Sequence, residues 1–277
     1  MTRAALFAAT ALGLAAVAPA HAFPGFGKKP APAASSQAAA PDKPEPPATA
    51  AQRAAADRLD PLARAAFWGH EVQREPKDAG AEVSFAAALR TLGRYDEARQ
   101  AADQALVLDP KNAPALLEAA RAAISAKQGF YALDYLKRAQ ALSPRDWRPV
   151  SLQGVALDQI ERVDEARAAF ARALTLSPDN PAVLSNLALS YAARGEVARA
   201  EPLMRRAASL PSASVQERQN LALLLGLQGR YAEAEALMRQ DLPPEQAANN
   251  LDYVRTLAAR SAARTWPGAQ AGAPAGR

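Results

Sequence analysis

The sequence predicts an all-α fold, a solenoid of about five helix–turn–helix units with a partial unit before them and a capping helix after them. The first observation is a proline that closes an apolar helical stretch and returns every 34 residues. These prolines are Pro76, Pro110, Pro144 and Pro178. The second is composition, because alanine supplies much of the 49% hydrophobic content while aromatic residues make up 6%. Such a composition favours closely packed helices over a sheet sandwich.

Five units fit the chain from residue 79 to residue 240 without an insertion. They begin at Ala79, Ala113, Trp147, Pro181 and Val215. At positions 8 and 20 every unit carries alanine or glycine. These residues are Ala86, Ala120, Gly154, Ala188 and Ala222 at position 8, and Ala98, Ala132, Ala166, Ala200 and Ala234 at position 20. Because antiparallel helices approach within about 8–10 Å only where the facing side chains are small, these positions predict the helix crossing in each unit.

A turn between the two helices of a unit is marked by glycine at position 15. Three units carry it, as Gly93, Gly195 and Gly229. In the second unit Lys127 replaces it and Gly129 follows two residues later, so the turn geometry there stays open although the period holds. The most typical unit reads Asn-Leu-Ala-Leu-Ser-Tyr-Ala-Ala-Arg-Gly over residues 186–195, followed by Ala200. This pattern resembles the tetratricopeptide repeat over about residues 79–238, which implies a tetratricopeptide-repeat solenoid.

Two flanking elements complete the predicted fold. Residues 57–78 match the second half of a unit, since the apolar run at 65–68 falls in phase, and we expect them to cap the first full unit. Residues 241–261 predict a C-terminal capping helix that opens at Pro243–Pro244 with Asp241 as its N-cap. Its apolar face comprises Ala247, Leu251, Val254 and Ala258. Its polar outer side comprises Glu245, Gln246, Asn249, Asp252 and Arg255.

Residues 1–22 have the pattern of a cleaved signal peptide. Arg3 supplies a positive start, residues 4–18 an apolar run, and residues 20–22 an A-x-A cleavage site. The apolar run is shorter than the roughly 20 residues that span a bilayer, and a retained membrane anchor is the alternative. The chain has no cysteine that could carry a lipid. We therefore expect an exported, periplasmic protein that is soluble after cleavage and peripheral to the envelope.

Both ends of the repeat region have low-complexity neighbours. Residues 23–56 are rich in proline and alanine without an apolar period, which predicts a disordered spacer. Residues 262–277 predict a disordered tail.

The net charge is +5, or +4 without residues 1–22, because that segment contains Arg3 and no acidic residue. Acidic and basic residues alternate along the helices, which indicates a solvated surface and no nucleic-acid partner.

Residues that could perform catalysis are scarce. After residue 22 the only histidine is His70, and a lone helical histidine is usually structural or exposed. The sequence has no cluster with metal-ligand spacing, no G-x-S-x-G elbow and no glycine-rich phosphate loop. We therefore predict no enzyme, no cofactor and no small-molecule substrate, while an enzyme with an unfamiliar site remains the least favoured alternative.

A peptide-binding groove is the expected site. The resemblance implies that positions 2, 5, 6, 9, 12 and 13 of the first helices line a concave face. Asn186 and Asn220 both occupy position 6, and their amides could clamp the backbone of an extended peptide. The alternative is that asparagine is merely tolerated there. The remaining candidates are Arg218 and Gln219 beside the second asparagine, and the basic residues Arg90, Arg121 and Arg148, which could attract acidic peptide groups. The carboxylate clamp of chaperone-binding tetratricopeptide domains is not reproduced.

The C-terminal third carries a narrower resemblance. Gln219 to Glu235 reads QNLALLLGLQGRYAEAE, and Asp241 to Arg255 reads DLPPEQAANNLDYVR. Together they resemble the TadD family of bacterial tight-adherence (Flp) pilus assembly proteins, with the helix after the repeats as the more telling part. The resemblance implies an envelope protein that assists assembly of the outer-membrane secretin. That family is commonly lipid-anchored, which this chain cannot match without cysteine. A generic periplasmic adaptor in envelope maintenance is the alternative function.

Overall fold

The computed structural model describes residues 46–263. Over that range the chain forms thirteen α-helices and no β-strand. The helices are α1 (Ala50–Ala56), α2 (Pro61–Arg74), α3 (Ala79–Thr91), α4 (Tyr95–Leu108), α5 (Ala113–Ser125), α6 (Gly129–Leu142), α7 (Trp147–Gln159), α8 (Val163–Leu176), α9 (Pro181–Ala192), α10 (Val197–Ser209), α11 (Val215–Leu227), α12 (Tyr231–Asp241) and α13 (Pro244–Ala263).

The helices form two compact units, an N-terminal unit of residues 46–125 and a C-terminal unit of residues 126–263. In the N-terminal unit α2 packs on α3, α3 on α4, and α4 on α5. In the C-terminal unit every helix from α6 to α13 packs on the next one along the chain. The first helices of the five repeats, α3, α5, α7, α9 and α11, begin at the five predicted start residues. The helices α2, α4, α6 and α8 end two residues before a periodic proline, so the predicted frame is confirmed.

The small residues at positions 8 and 20 are buried in all five repeats. Gly154 shows the reason most directly, because a Cβ atom added there would lie 2.6 Å from Cε1 of Phe170. Phe170 belongs to the same apolar cluster as Ala166, the position 20 residue of that repeat. A side chain larger than glycine at Gly154 would therefore displace the ring that fills the space between α7 and α8.

The turn at position 15 takes the left-handed conformation in every repeat, whichever residue occupies it. The φ angles are 78° at Gly93, 62° at Lys127, 63° at Glu161, 75° at Gly195 and 80° at Gly229. In four repeats the next residue donates its N–H back to the carbonyl of residue 11, and this bond ends the helix with a left-handed residue. These bonds join Arg94 to Leu89, Arg162 to Leu157, Glu196 to Tyr191 and Arg230 to Leu225. The turn is thus set by helix termination, and Lys127 adopts it without glycine.

Gly129 has a different role from the turn glycines. It is the first residue of α6, and an added Cβ would lie 2.5 Å from the carbonyl oxygen of Ala156 and 3.0 Å from Cβ of Gln159. Both contacts belong to α7. The glycine therefore allows the start of α6 to approach the backbone of α7 closely.

Replacing Glu161 by glycine should raise the free energy of unfolding of the C-terminal unit by about 0.5–1 kcal/mol. Glycine adopts positive φ without the steric cost that glutamate has there, and this gain exceeds the extra chain entropy that glycine loses on folding. Urea unfolding followed by circular dichroism would measure it. Gly195→Ala is the matched control and should lower the free energy of unfolding by about 1 kcal/mol at the equivalent turn. A lower urea midpoint for Glu161→Gly would show that the glutamate side chain stabilises the turn.

The structure differs from the predicted spacer at its C-terminal end. Residues 50–56 form α1, which Thr49 caps through reciprocal hydrogen bonds with Gln52. Ala56 packs into an apolar cluster with Trp68. Spacer residues 23–45 and the predicted signal peptide lie outside the described residues. The prediction of disorder up to residue 56 is therefore wrong, because a buried alanine and a local capping box stabilise this short helix.

An ion network attaches α1 to the rest of the N-terminal unit. Arg53 donates to Glu71 at 3.0 Å and to Asp78 at 2.5 Å, and its guanidinium lies 5.8 Å from the centre of the Trp68 ring. Glu71 is fully buried and also accepts from Arg74 at 2.9 Å and from the backbone N–H of Ala48 at 2.9 Å. One arginine thus connects α1 both to α2 and to the N-cap of α3.

The capping helix begins at Pro244, where it was predicted to open, but it extends two residues further and lacks the predicted N-cap. Ala247, Leu251 and Val254 are buried and Ala258 is half-buried, while all five predicted polar residues of its outer side are exposed. The interpretation of Asp241 as its N-cap is wrong, because Asp241 is the last residue of α12 and its carboxylate binds Arg218. The helix continues to residue 263, so residues 262 and 263 are not part of a disordered tail. Residues 264–277 lie outside the described part of the chain.

Candidate protein-binding face

Three first helices of the C-terminal unit, α7, α9 and α11, lie side by side. α7 contacts α9 and α9 contacts α11, while α8 packs on both α7 and α9 and α10 packs on both α9 and α11. Positions 5, 6 and 9 fall on one face of such a helix because residues four apart are neighbours on the helix surface. The two predicted asparagines, at position 6, lie on this face.

The two asparagines connect neighbouring repeats. Nδ2 of Asn186 donates to Oγ of Ser151 at 3.3 Å, and Nδ2 of Asn220 donates to Oγ of Ser185 at 2.9 Å. In both pairs the serine at position 5 of one repeat accepts from the asparagine at position 6 of the next. The serines are buried and the asparagines half-buried. The pattern forms a polar ladder, the Ser–Asn ladder, along α7, α9 and α11.

The ladder leaves each amide with further hydrogen-bonding capacity. A side-chain amide has two N–H donors and an oxygen with two lone pairs, and the bond to serine uses one donor. The oxygen of Asn220 also accepts from Nε2 of Gln216 at 3.0 Å. The structure thus assigns the asparagines an inter-repeat role that sequence analysis did not anticipate. Contact with a peptide, the predicted role, stays a prediction.

An apolar row runs beside the ladder, and sequence analysis missed it. Position 9 is Val155 in α7, Leu189 in α9 and Leu223 in α11, and all three side chains are half-buried. They pack against the buried apolar clusters and stay partly exposed. The signal was present in the sequence, since three consecutive repeats carry an aliphatic residue at the same position. The face therefore combines amides with partly exposed aliphatic side chains.

Arg218 is engaged away from this face. Its Nε donates to Oδ2 of Asp241 at 2.8 Å, and its Nη2 donates to Oδ1 of the same carboxylate. Its Nη1 donates to the carbonyl oxygen of Ala213 at 3.3 Å. The hydrogen bonds from Arg218 lower the pKa of the Asp241 carboxyl. The arginine therefore links the start of α11 to the end of α12, and its contact with a peptide stays a prediction. Gln219 lies at position 5 and is half-buried.

The predicted basic groove residues each have a carboxylate neighbour. Arg148 donates to both oxygens of Asp146, the N-cap of α7, at distances from 2.7 to 3.0 Å, and these hydrogen bonds raise the pKa of Arg148. In the N-terminal unit the buried carboxylate of Glu118 accepts from Arg90 at 2.9 Å and from Arg121. Ion pairs within the chain thus compete with acidic peptide groups for all three arginines.

Features typical of other protein classes are missing from residues 46–263. No helix in this range combines the length and apolarity needed to cross a membrane. No group of three or more histidine, cysteine, aspartate and glutamate side chains there could hold a metal ion. His70 is exposed on α2.

Comparison with known proteins agrees with the repeat frame. Three family models described as tetratricopeptide repeat match residues 79–122, 159–210 and 218–242. No curated protein matches the chain. A solved thermophilic tetratricopeptide repeat protein from Thermus thermophilus is 21% identical with a TM-score of 0.55, covering 63% of this chain and 94% of its own. PilW, described as a widely conserved type IV pilus biogenesis factor, is 18% identical with a TM-score of 0.57, covering 73% of this chain and 96% of its own.

These identities show the fold alone. The tetratricopeptide fold in general serves protein–protein interaction and does not itself catalyse reactions. With thirteen helices over the described residues, a repeat frame that the helix boundaries follow and three matching repeat models, the chain has the fold of an all-α tetratricopeptide-repeat solenoid.

Proposed function

We propose that this chain is a non-catalytic scaffold of the bacterial cell envelope that holds a protein partner on the face formed by α7, α9 and α11. The observation that carries the proposal is the Ser–Asn ladder beside the apolar row at Val155, Leu189 and Leu223. Amides bind the backbone of a peptide and half-buried aliphatic residues cover its side chains, which is the chemistry of a protein-binding groove.

The partner we propose belongs to a tight-adherence (Flp) pilus or a type II-like secretion apparatus, and the secretin is the favoured component. Two observations support this assignment. The sequence over residues 219–235 and 241–255 resembles the TadD family. The second stretch contains the first part of α13, from Pro244 to Arg255. PilW, whose fold is similar, is described as a type IV pilus biogenesis factor.

The proposed location is the periplasm. The pattern of residues 1–22 supports export, and the absence of cysteine supports a protein that is peripheral to the membrane without a lipid on a thiol. A soluble scaffold would reach the secretin by diffusion and not by sharing its membrane.

Replacing both Asn186 and Asn220 by alanine should abolish partner capture while helix content is retained. Each lost inter-repeat hydrogen bond lowers the free energy of unfolding by about 1 kcal/mol, which a folded scaffold tolerates. Affinity capture from solubilised envelope, with mass spectrometry of the bound proteins, should recover a secretin with the native chain and not with the double variant. Circular dichroism would confirm equal helix content.

The matched control replaces Ser151 and Ser185 by alanine. It breaks the same two hydrogen bonds of the Ser–Asn ladder but keeps both amides, so it should still capture the secretin. Equal loss of capture in both double variants would show that the ladder acts through stability and not through contact. Recovery of unrelated envelope proteins without a secretin would favour the generic adaptor.

A further inference from the structure

An aromatic pair stands on the surface of the C-terminal unit. Phe130 and Tyr131 begin α6 with 69% and 64% of their surface exposed, and their rings meet edge to face at 5.8 Å. Neither residue belongs to the core, because Ala132 and Leu136 provide the buried side of α6. Folding therefore gains little from two large aromatic rings at this place.

The repeat frame shows how unusual this pair is. Phe130 and Tyr131 occupy positions 18 and 19 of the second repeat, and these positions are exposed in all five repeats. The corresponding residues are Asp96 and Glu97, Asp164 and Glu165, Ala198 and Arg199, and Ala232 and Glu233. Only the second repeat places apolar rings there. Since the helical frame requires no aromatic residue at these positions, their presence points to contact with another molecule.

A lysine precedes the two rings along the chain and another follows them. Lys127 lies in the turn just before α6, and Lys137 lies two helical turns after Phe130 on the same side of the helix. Both lysines are exposed. The acidic neighbour Asp134 is paired with Arg138 at 3.7 Å. Asp134 lies one helical turn after Phe130, so the patch combines the two rings with one acidic and three basic side chains and has a net positive charge. The same site in the first and third repeats is acidic.

We propose that this aromatic–basic patch binds an amphipathic helical segment of a protein partner, whose apolar side chains cover Phe130 and Tyr131 and whose acidic side chains face Lys127 and Lys137. Exposed aromatic residues contribute much of the binding energy at protein interfaces, and complementary charge orients the partner. The site lies on a second helix and shares no residue with the Ser–Asn ladder on α7, α9 and α11. It is therefore a binding site in addition to the one in the proposed function.

Two synthetic helical peptides test the proposal. Both have about 20 residues and one face of leucine and phenylalanine, and they differ only in flanking residues, which are glutamate in one and lysine in the other. Fluorescence anisotropy should show that the glutamate peptide binds the native chain at least about tenfold more tightly than the lysine peptide. Equal affinity for both peptides, or binding of neither, would overturn the proposal.

Two double variants locate the binding. Phe130→Ala with Tyr131→Ala removes the rings. Phe130→Asp with Tyr131→Glu introduces the acidic pair that the first and third repeats carry at these positions. Both should weaken binding of the glutamate peptide by at least about tenfold, with an unchanged unfolding midpoint because the positions are exposed. The matched control, Asp164→Ala with Glu165→Ala, alters the same positions in the third repeat and should bind like the native chain.

Further measurements separate this site from the alternatives. The Asn186→Ala and Asn220→Ala double variant should bind the glutamate peptide normally. Peptide binding at the aromatic–basic patch would thus stand even if the proposed function of the Ser–Asn ladder proved wrong. Sedimentation that shows self-association abolished by Phe130→Ala with Tyr131→Ala would assign the patch to a second copy of the chain and overturn the proposal. Binding to phosphatidylglycerol vesicles that depends on the two rings would overturn it in favour of a membrane surface.

Discussion

Replacing Ala200 by leucine should lower the free energy of unfolding of the C-terminal unit by about 1–3 kcal/mol, because the added atoms have no space to occupy. Ala200 is fully buried at position 20 of the fourth repeat. It lies in one apolar cluster with Ala188, the position 8 residue of the same repeat, and with Met204. Leucine would force α9 and α10 apart or push neighbouring side chains out of their preferred rotamers. Urea unfolding followed by circular dichroism would measure the loss.

The control for this prediction is Ala198→Leu. Ala198 lies two residues earlier on the same helix and is exposed, so its replacement should change the free energy of unfolding by less than about 0.5 kcal/mol. An unchanged urea midpoint for Ala200→Leu would mean that position 20 tolerates bulk. It would contradict the assignment of positions 8 and 20 as the helix crossing.

Replacing Arg53 by alanine should lower the free energy that holds α1 in place by roughly 2–3 kcal/mol. Arg53 bonds the fully buried carboxylate of Glu71, and its loss leaves that charge with Arg74 and one backbone N–H. Leaving a buried charge short of a partner costs more than losing an exposed pair. The expected effect is below that of a completely buried pair because Arg53 is itself partly exposed. Faster hydrogen exchange at the amides of Ala54 to Ala56 would measure it.

An exposed ion pair in the same unit provides the comparison. Arg94 and Glu97 pair across one helical turn with about half of each side chain exposed. Arg94→Ala should leave the stability of the N-terminal unit almost unchanged, because water screens and replaces such an exposed pair. If Arg53→Ala and Arg94→Ala had equally small effects, the ion network would not be what holds α1.

Much of the fold could be predicted because its determinants are local and repeated. The first helices begin at Ala79, Ala113, Trp147, Pro181 and Val215, as the proline spacing predicted. Small residues at two positions per repeat predicted tightly packed sites, and all ten residues are buried. Such features are visible in sequence because each repeat must meet the same packing requirement within about 34 residues.

Some local features nevertheless escaped sequence analysis. Residues 50–56 sit in a segment without an apolar period, and the helix there depends on Ala56 and on Arg53 reaching residues 18 and 25 positions away. Lys127 and Glu161 adopt positive φ although neither is glycine. In both repeats the termination of the preceding helix outweighs the intrinsic preference of the residue.

The sequence by itself therefore determined the all-α class, the repeat length, the start of each first helix and the buried small positions, because those depend on neighbours within one repeat. Only the tertiary structure decided which side chains pair across repeats. It joined Asn186 to Ser151 and Asn220 to Ser185, each 35 positions apart, and turned Arg218 toward Asp241. Several donors and acceptors could satisfy each of these groups, and the choice among them depends on distances that are fixed only when neighbouring helices pack.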